Sequence, residues 1–180
     1  MKPILAVMIL ALSLAAAMGP AWAEYPEPFQ DESTGLWGYE NPAGGEVVIP
    51  ADYVLAWEFN EQGTAFAATE DDWLCINADG LVLLHPFVFD NGPDYFEHGL
   101  ARFVENGRMG FFNEAGEKVI PAEYDFAFPF EDSGLAPVCT GCVLVPDGEH
   151  STVQGGKWGC VDRKGRLVAP MEAPAPNCSR

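Results

Sequence analysis

The sequence predicts an all-β protein: an array of about four similar units, each a roughly three-stranded antiparallel element, curved into a solenoid or a propeller-like ring. Three observations carry this expectation. A short strand motif centred on Trp or Met returns along the chain, as "GLWGY" at 35–39, "DWLCI" at 72–76, "GRMGFF" at 107–112 and "GKWGCV" at 156–161. Glycines and prolines stand at matched offsets from it. Helical periodicity is absent after residue 23.

The elements of a unit follow in order. The first strand carries the anchor, Trp37, Trp73, Met109 or Trp158, at steps of 36, 36 and 49 residues. A ring this large fits an apolar plug between successive units, a structural role and not a ligand cage. Gly38, Gly110 and Gly159 follow three of the anchors, and the missing side chain would let the backbone or a ring of a neighbouring unit come close. A polar turn comes next. Gly44, Gly80, Gly116 and Gly165 stand seven residues after the anchors, with Asn41, Asn77, Asn113 and Asp162 three residues before them. Glycine supplies the positive φ such a turn needs. The second strand ends at Pro50, Pro86, Pro121 or Pro170, since proline has no N–H to give a ladder. Three residues further stands an aromatic in three units: Tyr53, Phe89 and Tyr124.

A third strand opens on glycine in "GTAFAA" (63–68), "GLARFV" (99–104) and "GLAPVC" (134–139), each preceded by Phe59, Tyr95 or Phe130. The last unit stops after Pro170, before such a strand. The N-terminal "EPFQDESTG" (27–35) is similar to "PFEDSG" (129–134) and is expected to supply the missing edge and cap the array. Three strands per unit argue mildly against a propeller, whose blades usually have four.

The pattern resembles that of bacterial WG-repeat, or KWG-repeat, proteins. Gly156-Lys157-Trp158-Gly159 with Asp162, Lys164 and Gly165 carries the resemblance, together with "GEKVIPAEYDFAFPF" (116–130) and "GLA" at 99–101 and 134–136. It covers about residues 28–172. The implied division is a repeat domain over 24–172, with units of about 35–71, 72–106, 107–155 and 156–172, and a tail at 173–180. Such proteins look like scaffold or interaction modules and bring no catalytic residue set. Leu74 stands where Gly is expected and Met109 where Trp is, so those junctions should be looser.

Residues 1–23 have one Lys, an apolar run from Ile4 to Met18, a Gly19-Pro20 break and an Ala21-Trp22-Ala23 box. They read as a signal peptide, which implies a periplasmic or extracellular location. The net charge of −18 becomes one unit more negative when that Lys is removed. Residues 24–105 hold 17 Asp and Glu against Arg102 alone. So acidic a surface repels phosphate backbones and anionic lipid heads, which excludes nucleic acid and direct membrane-surface binding.

All five cysteines, Cys75, Cys139, Cys142, Cys160 and Cys178, follow the leader, where an oxidising compartment favours disulfides. Cys75 and Cys160 occupy equivalent places and also fit buried thiols. Cys139 and Cys142 head the stretch of the third unit that holds a 13-residue insertion, "CTGCVLVPDGEHSTVQGG". The leading expectation is a disulfide-stapled loop, with Cys178 tying down the tail and the loop as the first partner-binding face. The alternative is a metal site of Cys139, Cys142 and His150, with Cys160 or Cys178 as fourth ligand, or a redox centre. Glu70-Asp71-Asp72 and Asp90-Asn91-Gly92-Pro93-Asp94 read as solvated turns, lacking the ligand alternation of an EF-hand. His85 and His98 have no nucleophile beside them, and neither G-x-S-x-G nor a phosphate loop occurs. The functional expectation is an exported, non-enzymatic interaction module needing no cofactor and binding a protein partner. The alternatives are metal- or redox-responsive use of the Cys139/Cys142 loop, and a small-ligand or glycan binder using Trp57, Tyr95 and Phe96.

Overall fold

The computed structural model describes residues 25–148, 150–172 and 178, with the side chain of His150 left aside. The expected leader lies outside the described residues. Among them there are strands and turns and no helix. The first sheet holds β1 (Glu27–Gln30), β2 (Trp37–Glu40) and β3 (Val47–Tyr53). A seven-stranded sheet follows. Its first part is β4 (Leu55–Ala56), β5 (Thr64–Ala68), β6 (Trp73–Asn77) and β7 (Val82–Pro86). Next comes a side hairpin of β8 (Val88–Phe89) and β9 (Gly92–Pro93). The seven-stranded sheet resumes with β10 (Leu100–Glu105), β11 (Arg108–Asn113) and β12 (Lys118–Tyr124). The last sheet contains β13 (Phe126–Ala127), β14 (Leu135–Asp147), β15 (His150–Asp162) and β16 (Leu167–Glu172).

The sheets are out of phase with the sequence units. The third strand of one unit pairs with the first strand of the next: Ala68 faces Trp73, Val104 faces Met109 and Cys139 faces Trp158. β1 takes that same place in the first sheet, with Gln30 opposite Trp37 and Phe29 opposite Gly38 as Phe103 is opposite Gly110. The N-terminal segment therefore completes its own sheet. It does not reach the last unit, and no described strand pairing joins β1–β3 to β13–β16.

Strand alternation then decides what each first strand buries. Tyr39, Cys75 and Phe111, two residues after their anchors, face the next group of strands along the chain, β4–β7, β10–β12 and β13–β16 in turn. Ile76, Phe112 and Val161, one residue further along, face the preceding group. Three apolar clusters result: Tyr39 with Ala65 and Ile76, Cys75 with Phe103 and Phe112, and Phe111 with Val138 and Val161. At the N-terminal end, where no described sheet precedes, the corresponding residue is the polar Glu40. At the other end no described sheet follows Cys160, and its sulfur lies at disulfide distance from that of Cys178, itself 2% exposed.

The glycine after the anchor meets the expected close approach of a ring, since a Cβ on Gly110 would lie 2.7 Å from the Phe103 ring of the preceding unit, and it has a second cause in its own hairpin. A Cβ on Gly38 would lie 2.6 Å from the Ile49 carbonyl oxygen and 2.8 Å from the Ala51 nitrogen. On Gly159 it would meet the Ala169 oxygen at 2.8 Å. These atoms belong to the second strand of the same hairpin, where a bulge at the proline carries its backbone over the glycine. The turn glycine, in contrast, does serve the junction between units. Gly80 sits on Ile49 and Gly165 on Ile120, each on the second strand of the preceding unit, and both have φ near +75° to +79°. In the first unit the turn is one residue longer, closed from Asn41 N–H to the Glu46 oxygen, and Gly45, not Gly44, takes the positive φ. The conserved-spacing Asn or Asp supports each turn through its side chain: Asn113 Oδ1 accepts from the Ala115 and Glu117 amides, as Asp162 Oδ1 does from Lys164 and Arg166.

Leu74 breaks the pattern. With a side chain where the second strand would cross, β7 pairs with β6 only through Leu84 and Val82. It then turns to β10, pairing His85 with Val104 and Pro86 with Phe103. The residues that would have completed the crossing are extruded as the β8–β9 hairpin, whose tip, Asp90-Asn91, has φ of 51° and 66°.

The 13-residue insertion is an arm and not a loop. β14 and β15 continue their pairing from Cys142–Gly155 out to Asp147–His150. At its base the ladder skips the Gly141–Gly156 pair without a change of register, both glycines standing at positive φ, and Cys139 and Cys142 approach to disulfide distance across Gly141.

Candidate functional site: an aromatic cleft under the inserted arm

The arm and the extruded hairpin face each other across a cleft of about 800 Å³. Phe87, Phe89 and Tyr95 form one wall. Phe126, Phe128 and Pro129 form the second, and Leu144 and Val153 of the arm close the third side. Polar groups are few: Ser151, Thr152, Glu97 and the pair Asp94 and Arg102. Phe89, Tyr95 and Phe128 are 52%, 63% and 42% exposed, so the rings are open to solvent.

Arg102 is the floor. On β10, opposite Phe111, it points toward the last sheet and is 3% exposed. Its Nε and Nη2 donate to the two Asp94 oxygens at 2.7 Å, its amide donates to Asp94 Oδ2 at 3.0 Å, and Nη1 donates to the Ala127 carbonyl at 3.0 Å. The guanidinium also lies 4.6 Å from the Phe87 ring centre and 6.0 Å from that of Phe89. A bidentate, fully bonded pair of this kind is a fixed wedge between sheets. It neutralises itself and leaves the cleft aromatic.

The sequence predicts Asp94 as part of a solvated turn. That holds for Asp90 and Asn91 at the tip, while Asp94, 5% exposed, is buried by the ion pair. One signal did point here: Arg102 is the only basic residue among 24–105, and a lone cation in so acidic a stretch needs a partner.

The other expected residues are dispersed. Trp73 packs edge-on against Trp57 at 5.4 Å, and Trp158 stacks on Phe128 at 5.6 Å, each against the preceding unit. Trp158 and Met109 are 6% and 5% exposed. Trp57 and Phe96 line a second, smaller cleft with Phe59 and Phe66, so they do not join Tyr95. His85 bonds the exposed Asp72 at 2.7 Å, and His98 lies 3.6 Å from Asp132. Cys75 is buried, and desolvation pushes its thiol up to about 11. The alternative ligand set of Cys139, Cys142 and His150 is not assembled. His150 pairs with Asp147, five residues out along the arm from Cys142, which is roughly 17 Å of strand. No group of three or more His, Cys, Asp or Glu among the described residues is placed to hold a metal ion.

This architecture defines a class: an antiparallel β-repeat protein whose sheets straddle its sequence units. The family model described as WG containing repeat matches residues 109–141, from the Met109 anchor to the base of the arm, so the chain contains a WG repeat over that span. Comparison with curated proteins and with solved structures found no match.

Proposed function

We propose that this chain is an exported, non-enzymatic interaction module that holds a partner in the cleft between the arm and the β8–β9 hairpin. One observation carries the reading: exposed aromatic rings converge around a floor whose two charges are already spent on each other. Such a surface supplies binding area and orientation. Two of the three walls are departures from the plain repeat, one made at Leu74 and one inserted after Cys139, and departures on a regular scaffold are where binding faces arise. Export follows from the leader, and the paired cysteines suit the compartment it implies. Capture from the producing cell's envelope by the mature protein, compared with Tyr95→Ala and with a Phe89→Ala/Phe128→Ala double variant, tests the proposal. Partners retained by the wild type and lost by both variants support it; equal capture overturns it.

The small-ligand alternative keeps one observation in its favour, the size of the cleft, which lies within the range of drug-sized sites. The expected trio of Trp57, Tyr95 and Phe96 cannot form that site, since it is divided between two clefts.

A further inference from the structure

The geometry points to the occupant: a basic, extended polypeptide segment, with arginine or lysine side chains laid against the cleft rings and its backbone beside the arm. This rests on the cleft being the contact surface. Three features converge on it. The first is charge. The chain carries a net −18, the one cation among residues 24–105 is cancelled by Asp94, and Glu97 remains on the rim. An acidic molecule with an uncompensated carboxylate at the rim favours a cation and repels an anionic segment.

The second is the rings. Phe89, Tyr95 and Phe128 are all partly exposed, Tyr95 the most, and aromatic faces attract cations. The fold already uses this contact on the inner side, where the Arg102 guanidinium lies against Phe87. The third is the arm. Beyond Cys142 and Gly155 its two strands pair only with each other among the described residues, so each presents one unpaired edge of N–H and C=O groups. An extended chain can add to such an edge while its alternate side chains enter the cleft. Leu144 and Val153, side by side on the arm, give the aliphatic stems of those side chains an apolar track.

Three blocked hexapeptides test this by calorimetric titration into the mature protein at 0.15 M salt. They alternate leucine with arginine, with glutamine or with glutamate. The arginine peptide should bind at least tenfold more tightly than either other. Tyr95→Ala should weaken it about tenfold and Glu97→Gln about threefold, with the fold of both variants checked by circular dichroism. Arginine-peptide binding indifferent to Tyr95→Ala would be diffuse attraction to an acidic surface and would overturn the inference. Glutamine or glutamate peptides binding equally well, yet lost in Tyr95→Ala, would overturn the choice of a basic partner and leave the cleft as the contact surface. No Tyr95-dependent binding of any peptide, with the envelope capture also negative, would remove both.

Discussion

At the scale of single residues, the glycine after the anchor is a steric requirement of its own hairpin. Gly110→Ala would drive a Cβ into the Ile120 oxygen and within 2.7 Å of the Ala122 nitrogen. It should cost about 3 kcal/mol, read from urea unfolding. Gly92→Ala, with nothing within 4 Å, should stay within about 0.5 kcal/mol. The buried pair makes a second test. Arg102→Met should destabilise by about 3–5 kcal/mol by stranding the Asp94 carboxylate, and Arg102→Met/Asp94→Leu should recover most of that loss. Cys75 gives a pH signature. Its thiol is raised from 9.0 to about 11 by burial, so above pH 9 the unfolded chain releases a proton that the folded chain keeps. Stability should fall between pH 9 and 11, and Cys75→Ala should make that fall shallower in urea midpoints measured across the range. The repeating positions were legible because each spacing has one local cause. The Arg102–Asp94 pair was not, because its eight-residue separation becomes a contact only after Leu74 has diverted β7.

At the scale of elements, the sequence shows strands and turns clearly and their pairing poorly. A period of 36 residues says nothing about where a sheet begins, so grouping strands by unit cut each sheet across its first hairpin. The insertion departs from the loop its sequence predicts for a related reason. "CVLVPD" and "HSTVQGG" lack strict alternation, and their strand character comes from continuing a ladder already formed below them. The arm's base holds three glycines at positive φ, Gly141, Gly155 and Gly156, and such a base bends freely unless tied. The Cys139 and Cys142 bridge is the tie. Cys139→Ser/Cys142→Ser should therefore speed protease cleavage within 143–154 several-fold and leave urea unfolding of the remaining sheets little changed.

At the scale of the whole molecule, the junctions are stepwise: each core cluster takes residues from two successive groups of strands, β4–β7 and β10–β12 being the two halves of the seven-stranded sheet. Because third strands cross to the next sheet, no 36-residue unit can detach without opening a neighbour, and the array should unfold in one transition. The two ends differ. Glu40 makes one face polar, while the other is covered by Cys178 held to Cys160. Cys178→Ser releases a bridge spanning 18 residues. It should cost about 3 kcal/mol by the loop-entropy estimate and lower the single unfolding midpoint without splitting it.

The straddling of sheets across units also bears on how such a chain could lengthen over evolutionary time. A duplication of one period anywhere between β2 and β15 would bring two strands for a new sheet and borrow the third from its upstream copy. It would pass its own third strand downstream in return. Every strand stays paired whatever the breakpoint, so gene duplication need not respect a structural boundary to yield a foldable product. Glu40 and the Cys160–Cys178 bridge would stay where they are, outermost, with growth confined to the interior.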